Sequence, residues 1–315
     1  MNTYDVLIVG GGAAGLSAAL VLARAQRSVV VVDAGHPRNA PAAHMHGFLG
    51  SDGLPPSELL AAGRREAIGY GATIVTASVS GVRPTGTAVE AGQSFEADLD
   101  QGGVVRARRI LVTTGLQDEL PAIPGLRERW GRDVLHCPYC HGHEVRDEPV
   151  GVIGGSDETI AHAQLVRQWA SDVIYFAHGS VVTAEHRERL EARDVSIIDE
   201  PVDRIVVEND RLAGVRLATG ETVARSAVFV RPRLVPSSTL LQTLGCTADA
   251  AGWVAVDATG HTSRPGVWAA GNAVNPRAQV ITAAGEGSSA AIAINNDLVE
   301  EDVAIAVRRR RSALR

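Results

Sequence analysis

The chain has 315 residues, 45% of them hydrophobic, and a net charge of -6 at pH 7. That is core material for two domains. The acidic balance gives no reason to expect a nucleic-acid partner, and no apolar run approaches the roughly 20 residues of a membrane span. A strand begins within a few residues of Met1, leaving no room for a secretory leader, so the expected setting is cytosolic. Structural disulfides are rare there, and a Cys-x-x-Cys pair reads as catalytic or metal-binding.

Asp5 to Val9 predicts a short buried strand, and Gly10-x-Gly12-x-x-Gly15 follows at once. Ala13 to Ala25 reads as a helix, and Val29 to Val32 as a second buried strand ending in Asp33. Strand, glycine turn, helix and acid in this order form a dinucleotide fingerprint. Its glycines let the backbone approach a pyrophosphate at the helix N-terminus, and Asp33 is placed to accept hydrogen bonds from a ribose. Residues Gly35 to Pro56 read as a long loop, the kind that lines a site. Arg38, Asn39 and His46 are its polar candidates for cofactor contact, with plain solvent exposure the alternative.

A helix over Ser57 to Tyr70 precedes one strand over Thr73 to Val82, a small antiparallel meander over Ala88 to Ala107, and a strand over Arg109 to Thr113. Thr114-Gly115 closes that strand, where glycine again permits close backbone approach. Leu116 to Gly131 reads as a crossover.

His136-Cys137-Pro138-Tyr139-Cys140-His141 comes next. Two cysteines at this spacing can close into a disulfide and reopen, and the flanking imidazoles are neighbours that lower a thiol pKa. A closed zinc site needs a second Cys or His pair at matched spacing; none follows, so no metal is expected. Cys246 has no partner in sequence and reads as a buried small hydrophobe.

A second βαβ pattern then begins, with a strand over Val150 to Ile153, a helix over Glu158 to Ala170 and a strand over Val173 to Phe176. Its glycine turn, Gly154-Gly155-Ser156-Asp157-Glu158-Thr159, has lost two of the three fingerprint positions. Asp157 and Glu158 stand where a pyrophosphate would sit; they cap a helix well but repel a dinucleotide. Ala177-His178-Gly179-Ser180 supplies no arginine cluster for a 2′-phosphate. Val202 to Leu217 predicts a hairpin. Arg231 and Arg233 either reach a ligand or are solvated. Strands are expected over Trp253 to Val256 and Val267 to Ala269, a helix over Val280 to Val299, and a solvated tail at Arg308 to Arg311.

Gly10-x-Gly12-x-x-Gly15, Thr114-Gly115, Cys137-Pro-Tyr-Cys140 and Gly266-Val-Trp-Ala-Ala-Gly-Asn272 stand in the order found in thioredoxin reductases, and the chain resembles that family over nearly its whole length. The resemblance implies an α/β fold of two Rossmann-like three-layer dinucleotide-binding domains in the low-molecular-weight thioredoxin reductase arrangement, and a homodimer. Residues 1–116 and 249–315 would form a discontinuous FAD-binding domain, with 117–248 inserted as an NAD(P)-binding-like domain carrying the cysteines. Carried over by position, Gly10, Gly12, Ala13, Ala14 and Asp33 match the adenosine-diphosphate contacts, Gly15 and Ala34 count with the cofactor-binding residues, and Val79 falls at the adenine. Gly271-Asn272 takes the place of a Gly-Asp pair at the ribitol, and Gln279-Val280 that of a Gln-Ala pair near the flavin ring.

The eroded second turn, His141 in place of the acid that follows the second cysteine, and Glu286 in place of a small residue all resemble one branch of the family. That branch comprises the dithiol oxidases that close disulfides in small natural products such as gliotoxin and holomycin, using FAD and oxygen rather than NADPH. The resemblance implies that Cys137 exchanges with a small-molecule dithiol and that Cys140 faces the flavin. His136 is the candidate base, with Glu286 orienting it; the alternatives are a backbone-bonded histidine and a helix-capping glutamate. The rival function is an NAD(P)H-dependent reductase of thioredoxin or another protein disulfide. A flavoprotein that senses redox state without turnover is the reading from another class.

Overall fold

The computed structural model describes residues 3–85 and 94–314. Their contacts divide into two units: Met1–Arg38, Ser57–Gln117 and Val235–Arg315 form the first, and Asn39–Pro56 with Asp118–Leu234 the second.

The first unit is built on near-continuous apolar strands, the pattern of a parallel sheet covered on both faces. Thr73–Thr76, Val29–Asp33, Thr3–Val9 and Val104–Val112 lie side by side in parallel. The long strand Val104–Val112 changes partner midway: its first half pairs antiparallel with Ser94–Leu99, and its second half pairs parallel with Val267–Ala269. Helices Ala13–Arg24 and Val280–Ala313 cover one face of the sheet, where Ile8, Ala18, Leu22, Ile294 and Leu298 are buried together. The two helices touch most closely at Gly287, where a Cβ would overlap the Ala14 carbonyl oxygen.

The second unit has a five-stranded parallel sheet in the order Val195–Ile198, Val173–Phe176, Val150–Ile153, Ala227–Phe229, Val134–Leu135. A three-stranded antiparallel sheet completes it. In that sheet Val202–Glu208 and Arg211–Leu217 form the expected hairpin, turned by Asn209 and Asp210 at φ 51° and 58°, the left-handed pair that a type I′ turn requires.

Several expectations are corrected. The strand over Thr73 to Val82 breaks in two, because the Ala77 amide bonds back to Asp33 and the Ser78 amide is taken by Asp100. Its second part, Val79–Thr85, runs antiparallel to Ser94–Leu99. Residues 88–93 of the expected meander lie outside the described residues. Trp253 to Val256 makes only isolated bridges at Val254 and Val256. The last helix runs on to Ala313, so Arg308 to Arg311 are exposed helical residues rather than a tail; cations suit a helix C-terminus.

The unit borders differ too. Loop residues 39–56 group with the second unit. The chain rejoins the first unit at Val235 rather than at 249, because Leu240, Leu241, Leu244 and Cys246 pack beneath the first sheet. The two crossings, Leu116–Glu119 and Arg233–Pro236, pair with each other as a two-stranded sheet.

Candidate active site and nucleotide turns

In the second unit the strand Val134–Leu135 delivers His136 and Cys137 to the start of a one-turn helix, Pro138–His141. Proline suits the first helical position because its missing N–H would have had no partner there. The amides of Cys140 and His141 both donate to the Cys137 carbonyl at 3.1 Å. This winds the turn so that Cys137 and Cys140 stand with Cα atoms 5.2 Å apart, and they are joined as a disulfide, inside the span such a bond needs. Both cysteines are half-buried and Tyr139 between them is exposed. Gly142 ends the turn under the Trp169 ring, 2.8 Å from where a Cβ would stand. Trp169 in turn meets Tyr139 edge to face at 5.4 Å.

The histidines divide by role. The Nδ1 of His136 lies 3.2 Å from the Val230 carbonyl. A carbonyl only accepts, so Nδ1 carries a proton, and in the neutral ring Nε2 is then the nitrogen with the lone pair. The backbone-bonded histidine and the base, posed as alternatives from sequence, are therefore compatible in one ring. Burial pushes the His141 pKa down, with Glu144 opposing it in part. His46 falls in the second unit, with Nδ1 3.3 Å from Asp52 and Nε2 3.4 Å from Glu144. Asn39 belongs to the same unit.

Sequence reading missed His162. It is buried, and its Nε2 donates to the His136 carbonyl at 2.9 Å. Burial pushes its pKa down to about 4. Its spacing of three before Leu165 and four before Val166 marks a helix face but gives no hint of that bond.

In the first unit the glycine turn is built as its sequence implies. Gly10, at φ 107°, turns tightly against Thr113, and a Cβ at Gly15 would overlap the Gly10 carbonyl. Gly12 has open space where its Cβ would stand, and no acid occupies the first turn of the helix that Ala13 and Ala14 begin. A helix N-terminus open in this way accepts an anion. Thr113, also missed, donates its hydroxyl toward the Gly10 carbonyl at 2.8 Å and fastens the turn to the neighbouring strand end. Asp33 accepts from the Gly11 amide at 3.1 Å and pairs with Arg64. Ala34 is exposed, Arg38, Val79 and Thr114 are half-buried, and Gly115, at φ 74°, has open space beside it.

The late part of the chain returns to this turn through Gly271, whose Cβ position lies 3.1 Å from the Ala14 methyl. Glu286 braces the Gly271 loop: one carboxylate oxygen accepts from the Gly271 amide at 2.8 Å and the other from the Asn275 side chain at 2.6 Å. It lies about two turns inside its helix, so it is no helix cap. The Asn272 amide group donates to the carbonyls of Asn275 and Ala278, at 3.0 and 2.9 Å. An aspartate cannot donate to two carbonyls, which explains an asparagine here physically. Gln279 stands at the N-cap of the last helix and Val280 begins it.

The turn at Gly154 is a different object. A Cβ at Gly154 would overlap the Tyr175 hydroxyl, which itself lies 2.8 Å from the Thr159 hydroxyl. Ser156 and Thr159 close a capping box over the helix start, consuming donors that a phosphate would use. Asp157 faces His186 at 3.6 Å and Glu158 pairs with Arg231 at 3.0 Å. Arg233 pairs with Glu119, so both arginines hold carboxylates of the protein itself. His178 accepts the Val202 amide.

A redox-active cysteine pair on one Rossmann-like unit, inserted into a second Rossmann-like unit with an open glycine turn, defines a disulfide oxidoreductase. The chain belongs to the pyridine nucleotide-disulphide oxidoreductase family, whose model matches residues 4–287, and is a thioredoxin reductase-like enzyme. It is 32% identical to thioredoxin reductase sirT of Leptosphaeria maculans, over 96% of this chain and 97% of that one. With thioredoxin reductase aclD of Aspergillus oryzae it shares 30% identity over 96% and 98%. The crystal structure of HlmI superposes with a TM-score of 0.96 at 54% identity, covering 99% of this chain and 98% of that one. The putative thioredoxin reductase TrxB from Bacillus anthracis gives 0.88 at 30% identity, covering 95% and 99%. The architecture is that of the low-molecular-weight thioredoxin reductases. Among the described residues no helix is long and apolar enough to cross a membrane.

Proposed function

We propose that the protein is an FAD-dependent dithiol oxidase that closes an intramolecular disulfide in a small-molecule dithiol, with molecular oxygen as the final acceptor. One observation carries the reading: Asp157 and Glu158 stand in the first turn of the helix at the second nucleotide turn, and a capping box uses the donors of that helix start, while the Cys137–Cys140 pair beside it in sequence is complete. These residues do not fit the pyrophosphate of NAD(P)H. The open turn at Gly12 does fit a pyrophosphate. Gly10, Gly12, Ala13, Ala14, Gly15, Asp33, Ala34, Arg38, Val79, Thr114, Gly115, Gly271, Asn272, Gln279 and Val280 would hold FAD.

In the proposed mechanism His136, through Nε2, takes the proton of a substrate thiol. The thiolate attacks Cys137; a substrate–Cys137 bond forms, the Cys137–Cys140 bond breaks, and Cys140 leaves as a thiolate. The second substrate thiolate then attacks the sulfur already joined to Cys137, closing the substrate disulfide and releasing Cys137. Two electrons now reside on the Cys137/Cys140 dithiol. FAD, when bound, supplies a two-electron acceptor for that dithiol. Overall, dithiol and oxygen become disulfide and hydrogen peroxide. Family likeness supports a homodimer, and a cysteine pair that must cycle suits a cytoplasmic setting.

The names of the relatives favour a second reading, reduction of thioredoxin or another disulfide by NAD(P)H. One anaerobic experiment decides. NADPH and a small dithiol are added separately to the flavin-loaded protein while the flavin band is watched. Bleaching by the dithiol alone, with colour restored by air, is expected; rapid bleaching by NADPH would reverse the assignment.

A further inference from the structure

The helix Asp157–Val166 begins at the closed turn, yet its inner face serves the cysteine segment. Thr159, His162 and Val166 are among its five buried residues and follow one another at three- and four-residue spacing, along one helix face. Trp169 continues the line and lies over Gly142. On such a face an apolar side chain would pack at less cost than an imidazole. His162 is 6% exposed, with its ring edge-on to Phe229. Its Nδ1 is buried with no hydrogen-bond partner among the described residues, an orphan acceptor that costs stability. The compensating feature is on the other nitrogen, where Nε2–H holds the His136 carbonyl at 2.9 Å.

That carbonyl belongs to the peptide joining His136 to Cys137. The His136 ring is held at a second point by Val230, whose own amide bonds to Leu135. While the disulfide is closed, Cys137 is also tied covalently to the next helical turn. Once it opens, that tie is gone and the bond from His162 remains. From this geometry we infer that His162 is a positioning residue for the thiol exchange, keeping the His136 base and the Cys137 sulfur in one arrangement after the disulfide has opened. The inference rests on the reading of His136 as the base. Burial keeps His162 neutral, with a pKa of about 4, so it does not compete with His136 for the substrate proton.

The test compares the flavin-loaded wild type with His162→Leu, His162→Gln and His136→Ala. Each is mixed anaerobically with dithiothreitol between about pH 6 and pH 9, then quenched with an alkylating agent. Free thiols at Cys137 and Cys140 are counted by mass. His162→Leu should slow disulfide opening about tenfold near pH 7 and converge on wild type near pH 9, where dithiothreitol is itself a thiolate. His162→Gln, which restores an N–H donor, should stay within about threefold throughout. A His162→Leu rate equal to wild type, or one reduced by the same factor at every pH and not rescued by glutamine, overturns the inference. If His136→Ala shifts the profile and His162→Leu does not, the positioning role alone fails; a flat His136→Ala profile removes the base reading beneath it. Nitrogen NMR of wild-type histidines tests the same point without a variant. A neutral His162 protonated at Nε2 is expected down to about pH 5, and an Nδ1-protonated tautomer would sink the idea.

Discussion

Two glycine turns, each between a parallel strand and a helix, meet their helix starts in opposite ways. At Gly12 there is open space where a side chain would stand, and neither a side-chain cap nor an acid occupies the helix start. At Gly154 to Thr159 the helix start carries Asp157 and Glu158 and a capping box uses its donors, while beneath it the Tyr175 and Thr159 hydroxyls meet. The strands that lead into both turns, Thr3–Val9 and Val150–Ile153, pair in parallel on both sides and are buried where they reach the turn. A dinucleotide fold can differ in its ligand chemistry, because the apolar strands carry the fold and a handful of turn residues carry the ligand. The second unit also holds the cysteine segment, braced by the helix Asp157–Val166.

The sharpest separation of the two units comes from Cys137→Ala. Dithiol turnover should fall to background while flavin retention, which the proposed function assigns to the first unit, stays at the wild-type level; both are read on one purified sample. Residual exchange through Cys140 would contradict the order of attack proposed above.

Gly12→Asp copies the second turn's chemistry into the first. A carboxylate at that helix start repels a pyrophosphate and occupies the open space. Flavin retention should drop at least about 100-fold, or about 3 kcal/mol, measured by absorbance after desalting. The Cys137–Cys140 disulfide should remain reducible by dithiothreitol at the wild-type rate. An unchanged flavin content would mean that the open turn is not where the cofactor phosphates bind.

How far these features were legible from sequence depends on the distance along the chain between partners. The glycine turn, the Cys-x-x-Cys and the eroded turn are each contained in a few consecutive residues, so their chemistry could be read directly. His162 acts on a carbonyl 26 residues away, and Thr113 fastens a turn 103 residues earlier; neither leaves a local pattern. Glu286 was legible as an unusual residue, but its bonds to Gly271 and Asn275 depend on a loop whose path no periodicity encodes. The helix Ala184–Glu191 was missed because a charged octet with one buried residue, Leu190, carries little apolar signal. The extension of the last helix past Val299 was missed for a related reason: its final turns are exposed almost all round.

The buried His162 also gives the second unit a pH signature that the first lacks. Its folded pKa is about 4 against an ordinary 6.5. Above pH 6.5 both folded and unfolded chains hold it neutral, and its contribution is fully present. As the pH falls toward 4 the unfolded chain takes up a proton that the folded chain refuses, so stability is lost across that window. The loss is on the order of 3 kcal/mol. Urea unfolding at about pH 7 and pH 4.5 should show it in wild type and show a smaller loss in His162→Gln; parallel curves would assign the acid sensitivity to carboxylates instead.

Asn272→Asp asks whether the loop at the first unit's site is held by donors alone. The change replaces the amide nitrogen, which donates both bonds, by a carboxylate oxygen facing the carbonyls of Asn275 and Ala278. A loss of about 2 kcal/mol is expected, read as a lowered melting temperature, with Asn272→Ala losing less because it leaves two unpaired acceptors without adding a repelling charge.

Thr159→Val is the mildest change and the most direct test of why the second turn is closed. It removes the hydroxyl beside Tyr175, which also bonds the Ser156 carbonyl and amide at the exposed helix start, at nearly constant volume, a set worth about 1–2 kcal/mol. The protein should lose that much stability and is expected not to bind NADPH, because Asp157 and Glu158 still carry their charges at the helix start. Closure is thus attributed to charge. If Thr159→Val alone admitted NADPH, measured by quenching of protein fluorescence, the capping box would be the whole barrier. The two glycine turns would then differ by one hydroxyl rather than by a rebuilt helix start.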